Sequence, residues 1–75
     1  MAESKIKLSD AKAVEEFVSA ASKCDFDIDI FYNRMIIDAK LILGILSMDL
    51  TKTLTVQCYG ENQEFNRTLQ KFAIA

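Results

Sequence analysis

Histidine is absent from all 75 residues. Without an imidazole, Ser-His-Asp triads, Cys-His pairs, His-ligated metals and phosphohistidine relays are excluded together. Proline is also absent, and glycine occurs only at Gly44 and Gly60, so neither a Pro-rich linker nor a Gly-rich phosphate loop can be built. Cys24 and Cys58 lie far apart and form no CxxC pair; two reduced, partly buried thiols are expected rather than a zinc or redox site. Neither sign of charge forms a block, and the formal net charge is -2. The basic stripe of a nucleic-acid binder is therefore missing. The start, Met1-Ala2-Glu3-Ser4, lacks a signal peptide's basic and apolar regions, and the longest apolar stretch, Leu41 to Leu46, is too short to cross a bilayer. These features predict a soluble, cytoplasmic protein with no membrane insertion.

What the chain does contain is apolar. Hydrophobic residues make up 51% and charged residues 27%, and the periodicities below use nearly all of the former, which argues against disorder. Residues 1–75 are expected to form one domain, although so short a chain buries only about 60% of the surface its unfolded form exposes.

Ile6 and Leu8, flanked by Lys5 and Lys7, alternate like a short edge strand. Ser9 or Asp10 then offers an N-cap oxygen. Val14, Phe17, Val18 and Ala21 recur at helical spacing, with Lys12, Glu15, Glu16 and Ser19 opposite, which predicts an amphipathic helix ending near Lys23. From Asp25 to Tyr32 the period becomes two: Phe26, Ile28, Ile30 and Tyr32 share one face, and Asp25, Asp27 and Asp29 the other. Asn33-Arg34 can turn the chain because asparagine tolerates the left-handed conformation, and Met35 to Asp38 supply a partner strand. Lys40 to Met48 suit a short helix weakened by Gly44. Such a helix cannot bury all its sides, so part of the set Leu41, Ile42, Leu43, Ile45, Leu46 and Met48 should reach solvent. Leu54, Val56 and Cys58 mark a last strand that Gly60 ends. Phe65, Leu69 and Phe72 mark a final amphipathic helix.

The order is thus βαββαβα. Four strands with helices over one face make an α+β open-faced sandwich whose other face is wet and carries aspartates and threonines. A ferredoxin-like split βαβ arrangement is the competing topology, and the shortness of the middle helix favours the former.

Three stretches carry a family resemblance: Phe17-Val18-Ser19-Ala20-Ala21-Ser22-Lys23-Cys24-Asp25-Phe26-Asp27-Ile28, Tyr32-Asn33, and Lys40-Leu41-Ile42-Leu43-Gly44-Ile45-Leu46-Ser47. In order and spacing they resemble the histidine-containing phosphocarrier (HPr) family over most of the chain. Members read leucine-valine, then alanine-serine before a lysine and aspartates, then tyrosine-asparagine-glycine, then lysine-serine-isoleucine-methionine-glycine and a later serine. The resemblance implies a four-stranded antiparallel sheet of order 1-4-2-3, three helices on one face, and a binding surface formed by the start of the first helix and the middle helix. It also implies a histidine that relays phosphate from an upstream kinase component to sugar transporters, within glycine-leucine-histidine-alanine-arginine-proline.

This chain reads Leu8-Ser9-Asp10-Ala11-Lys12-Ala13 there. Asp10 takes the histidine position, Lys12 the arginine position and Ala13 the proline position; a one-residue shift would bring in Ser9 instead. The family's regulatory serine aligns with Leu41, which has no hydroxyl, and Ser47 matches a serine that is not phosphorylated.

Two functions of different class follow. One is a protein-interaction or regulatory module that has lost both phosphorylated positions and docks a phosphotransferase-system or regulatory partner through Lys12, Leu41, Ile42, Leu43 and Leu46. The other is a phosphocarrier using Asp10 or Ser9, since a helix N-terminus favours anions and Lys12 adds charge; against it, aspartyl phosphates usually need a metal and further carboxylates, and the simpler role of Asp10 is a helix cap. Asp25, Asp27 and Asp29 alternate like calcium-loop ligands, but Ile30 and Ile36 stand where the required glycine and glutamate would be, so a wet strand face is the better reading. No nucleophile-base pair, metal cluster or cofactor motif supports an enzyme.

Overall fold

The computed structural model describes residues 2–74. The chain runs through β1 (Ala2–Ile6), α1 (Ala11–Ser22), β2 (Ile28–Tyr32), β3 (Met35–Asp38), α2 (Ile42–Leu46), β4 (Leu54–Cys58) and α3 (Gln63–Phe72). The strands form one antiparallel sheet of order β1-β4-β2-β3. That order decides for the open-faced sandwich over the split βαβ alternative.

Alternation builds the sheet's two faces. Ile28 and Ile30 on β2 and Leu54, Val56 and Cys58 on β4 are buried, while Asp29, Phe31, Thr55 and Gln57 between them stay partly exposed on the other face. The helices supply the cover. Val14, Phe17, Val18 and Ala21 of α1 and Phe65 and Leu69 of α3 are buried, and the rings of Phe17 and Phe65 meet at 5.6 Å between centroids, tilted by 56°, a favoured aromatic geometry. Each long helix is closed at its start by a side chain: Asp10 accepts from the Ala13 N–H and Asn62 from the Phe65 N–H, both at 2.8 Å. Such caps satisfy N–H groups that the helix itself leaves unpaired.

Three sequence-level boundaries shift. The first strand spans Ala2–Ile6 rather than centring on Ile6 and Leu8; Leu8 lies beyond it, fully buried, because the chain leaves the sheet at Ile6 and turns its next apolar residue into the core. The second strand begins at Ile28, not Asp25, so Asp25 and Asp27 sit in the bend between α1 and β2. The middle helix is five residues long, ending before Met48, which is buried in the following turn. The turn at Asn33-Arg34 is confirmed, with Asn33 at φ 54° in the left-handed region.

Gly60 follows β4 because nothing larger fits there. A Cβ at this position would lie 2.4 Å from two atoms of the Phe26 side chain and 3.0 Å from its own Cβ, so relief requires moving that residue at its root. Gly60→Ala is therefore expected to lower unfolding free energy by about 1–3 kcal/mol through overpacking. Phe17→Ala should cost more, about 3–5 kcal/mol, by emptying the centre of the helix layer. Urea unfolding followed by circular dichroism reads both, and an unchanged midpoint for Gly60→Ala would contradict the packing described.

Candidate functional site

The residues singled out by the sequence fall on two elements that pack together, α1 and α2. Asp10 is the N-cap of α1 with extended backbone, φ -155° and ψ 174°. Its Oδ1 is engaged by the Ala13 N–H, and its carbonyl accepts from the Val14 N–H at 3.2 Å. Asp10 does the work of a cap. Ser9, Ala11 and Lys12 beside it are exposed, and no other acidic side chain hydrogen-bonds there among the described residues. Nor do any three thiol or carboxylate groups among them come together as a metal cage.

At α2 the short helix has too many apolar faces for the space it covers. Ile45 points into the core and is fully buried, and Ile42 is half-buried against that core. Leu41, Leu43 and Leu46 are 56%, 74% and 42% exposed. Leu43 and Leu46 are one turn apart and share a face. Ile42 thus lies between the core and the exposed leucines, only partly open to solvent. Leu41 begins the helix without any side-chain cap, because leucine has no oxygen to offer an N–H.

Gly44, which weakens a helix in isolation, has a packing reason. A Cβ there would lie 2.9 Å from Cγ2 of Ile37, so the missing side chain lets α2 approach β3. Beyond this contact, sequence reasoning overlooked further apolar exposure on β3: Met35 and Ile36, on opposite faces of the strand, are 45% and 64% exposed. The signal was there to read, since three successive apolar residues on a strand cannot all face one side.

Lys40, read only as part of the middle helix, instead precedes it and reaches back to α1. Its Nζ donates to the Cys24 carbonyl at 2.9 Å, placing a cation at the carbonyl end of the helix, where the macrodipole is negative. The two cysteines are free and buried, as expected. Burial pushes both thiols up; the charge of Lys40 partly opposes this at Cys24, while Cys24 itself and Glu61 add to it at Cys58.

The arrangement of sheet and helices matches solved structures. The crystal structure of HPr-C-His from Thermoanaerobacter tengcongensis superposes with a TM-score of 0.77 at 24% identity, over 95% of this chain and 89% of that one. The crystal structure of the phosphocarrier protein HPr from Bacillus anthracis str. Ames gives 0.72 at 22% identity, over 95% of both. The chain has the HPr fold. No protein-family model and no curated protein matches the sequence. Within this fold, the histidine-free sequence presents Asp10 as a cap and a leucine-rich α2. Among the described residues no helix is long and apolar enough to cross a membrane.

Two expectations follow. Asp10→Ala should cost about 1 kcal/mol in unfolding free energy, whereas Asp10→Asn or Asp10→Ser should recover most of it. The thiols should react slowly with Ellman's reagent until the chain unfolds. Their folded pKa values lie above the ordinary 9.0, so the stability linked to them is intact below that pH and is lost as pH rises through the folded values, where the unfolded chain has already released its protons. Alkaline unfolding that Cys58→Ala leaves unmoved would contradict this.

Proposed function

We propose that the chain is an HPr-like interaction module: it docks a protein partner, from a phosphotransferase system or a regulatory system, through the exposed apolar surface of α2 and the neighbouring start of α1. The observation that carries the reading is the exposure of Leu41, Leu43 and Leu46 on one short helix. Apolar side chains grouped in this way favour burial against another protein, each contributing roughly 1.5–3 kcal/mol when fully desolvated. Lys12, exposed on the first turn of α1, supplies a charge suited to the polar rim of such an interface. Leu41 stands where the family's regulatory serine would be, so the surface has gained an apolar contact in place of a phosphorylation switch.

Phosphate transfer is the competing reading, and the HPr neighbours favour it, the one from Bacillus anthracis being a phosphocarrier protein. The local geometry weighs against it. One carboxylate oxygen of Asp10 already closes the helix, and phosphorylating that group would exchange the cap for a bulkier anion, with no metal-binding cluster among the described residues to assist. The function is therefore recognition rather than chemistry, and the chain acts by occupancy in the cytoplasm.

Intact-protein mass spectrometry after incubation with phosphoenolpyruvate and the upstream kinase component, with a histidine-containing HPr as control, separates the two. The expected result is no added mass beside a phosphorylated control, together with binding of that component or of an HPr-dependent regulator that Leu43→Lys weakens by about tenfold or more. A phosphate that appears on this chain and vanishes in Asp10→Ala overturns the docking reading.

A further inference from the structure

The two edges of the sheet are treated differently. The end of β1 is covered: the Lys5 carbonyl accepts from the Ile74 N–H at 3.1 Å, and just past the strand the Lys7 N–H donates to the Phe72 carbonyl at 3.0 Å. The end of the chain thus pairs with this edge, with Ile6 opposite Ala73. Lys5 and Lys7 add charge beside it, another common protection of an edge.

At β3 no such cover exists among the described residues. Ala39 donates to the Ile28 carbonyl. Because hydrogen-bonded pairs alternate in an antiparallel ladder, Ile37 and Met35 bond to β2 while Ile36 and Asp38 turn their backbone groups outward. The Asp38 carbonyl is used by the Leu41 N–H at 3.0 Å, but the N–H and carbonyl of Ile36 have no partner. The Ile36 side chain is 64% exposed beside Phe31, its cross-strand neighbour. This edge carries no lysine and no proline.

We propose that two copies of the chain associate through β3, antiparallel about a two-fold axis at Ile36, to form a continuous eight-stranded sheet. This surface is separate from the leucines of α2, and the inference goes beyond the docking reading. The register is selected by what the edge offers. Pairing Ile36 with its copy lets both exchange N–H and carbonyl bonds. Sliding the strands so that Ile36 meets Asp38 gives up the reciprocal bonds of the Ile36 pair, and pairing Asp38 with its copy opposes like charges.

The favoured register also places position 34 opposite position 38 of the second copy. Arg34 is exposed, with no ion pair or hydrogen bond among the described residues. Asp38 is the cross-strand neighbour of Asp29 on β2, so two acidic residues sit side by side in the register, and neither forms an ion pair among the described residues. A two-fold pairing brings Arg34 of each copy to that acidic pair, twice. The complementarity is of this chain with itself, which is what an isologous interface requires. With only four residues per strand, the contact is smaller than a standard stable interface, so a dissociation constant of roughly 10 µM to 1 mM is expected.

Sedimentation velocity on the full chain from about 10 µM to about 1 mM tests this. The mass should rise toward that of a dimer, and Ile36→Lys should hold it at the monomer. Asp38→Arg should weaken association by about tenfold or more, and adding Arg34→Asp should restore most of it. Because both of these variants lose the hydrogen bond from the Lys40 N–H to Asp38, the difference between them reports charge pairing and not folding. Leu43→Lys, which disables docking on the earlier reading, should leave the dimer intact, so the two proposals fail separately. A monomer throughout the range overturns the inference and leaves the edge to a strand of some other protein; so does a dimer indifferent to Ile36→Lys, or a double variant no tighter than Asp38→Arg alone.

Discussion

One apolar sheet face has to be kept dry, and the rest of the molecule is arranged around that need. Ile6, Ile28, Ile30, Leu54 and Val56 are all fully buried, and their cover consists of helices of 12, 5 and 10 residues. The two long helices meet through Phe17 and Phe65. Hydrophobic burial is the main favourable term in so small a protein, so losing either ring removes more than a local contact. Polar groups were arranged to permit this layer: caps at Asp10 and Asn62, and no buried side-chain polar atom left without a partner among the described residues.

The same constraint explains why α2 is apolar on the outside. A helix of five residues makes little more than one turn. Ile45 and, in part, Ile42 serve the core, and nothing in the fold requires Leu41, Leu43 or Leu46 to be leucine. Their burial would gain stability only through a contact outside the chain. A sequence that spends apolar residues where solvent meets them is one whose local choices do not all serve its own folding, and such places coincide with function more often than with accident.

Much of the architecture was legible because periodicity is a strong signal. The period of two in Ile28 and Ile30 and in Leu54, Val56 and Cys58 located both central strands, and the helical spacing of Val14, Phe17, Val18 and Ala21 located α1 with its cap. Boundaries failed where an apolar residue served the core without belonging to an element. Leu8 and Met48 are both buried from loops, and periodicity alone cannot separate a plug from an extra residue of strand or helix. The α2 surface was legible as an excess, since no short helix buries six apolar side chains. The β3 exposure was legible only in part: Met35, Ile36 and Ile37 cannot all face one side of a strand, but how far each meets solvent depends on the packing around that edge.

Gly44 joins these observations. In an isolated helix it costs about 1 kcal/mol relative to alanine, yet here its bare backbone permits the approach of α2 to Ile37 of β3. Ile37 bonds inward to β2 while its neighbour Ile36 faces out, a register set by the two-residue turn at Asn33-Arg34. A residue with no side chain thereby sets how closely α2 and its exposed leucines approach the edge strand.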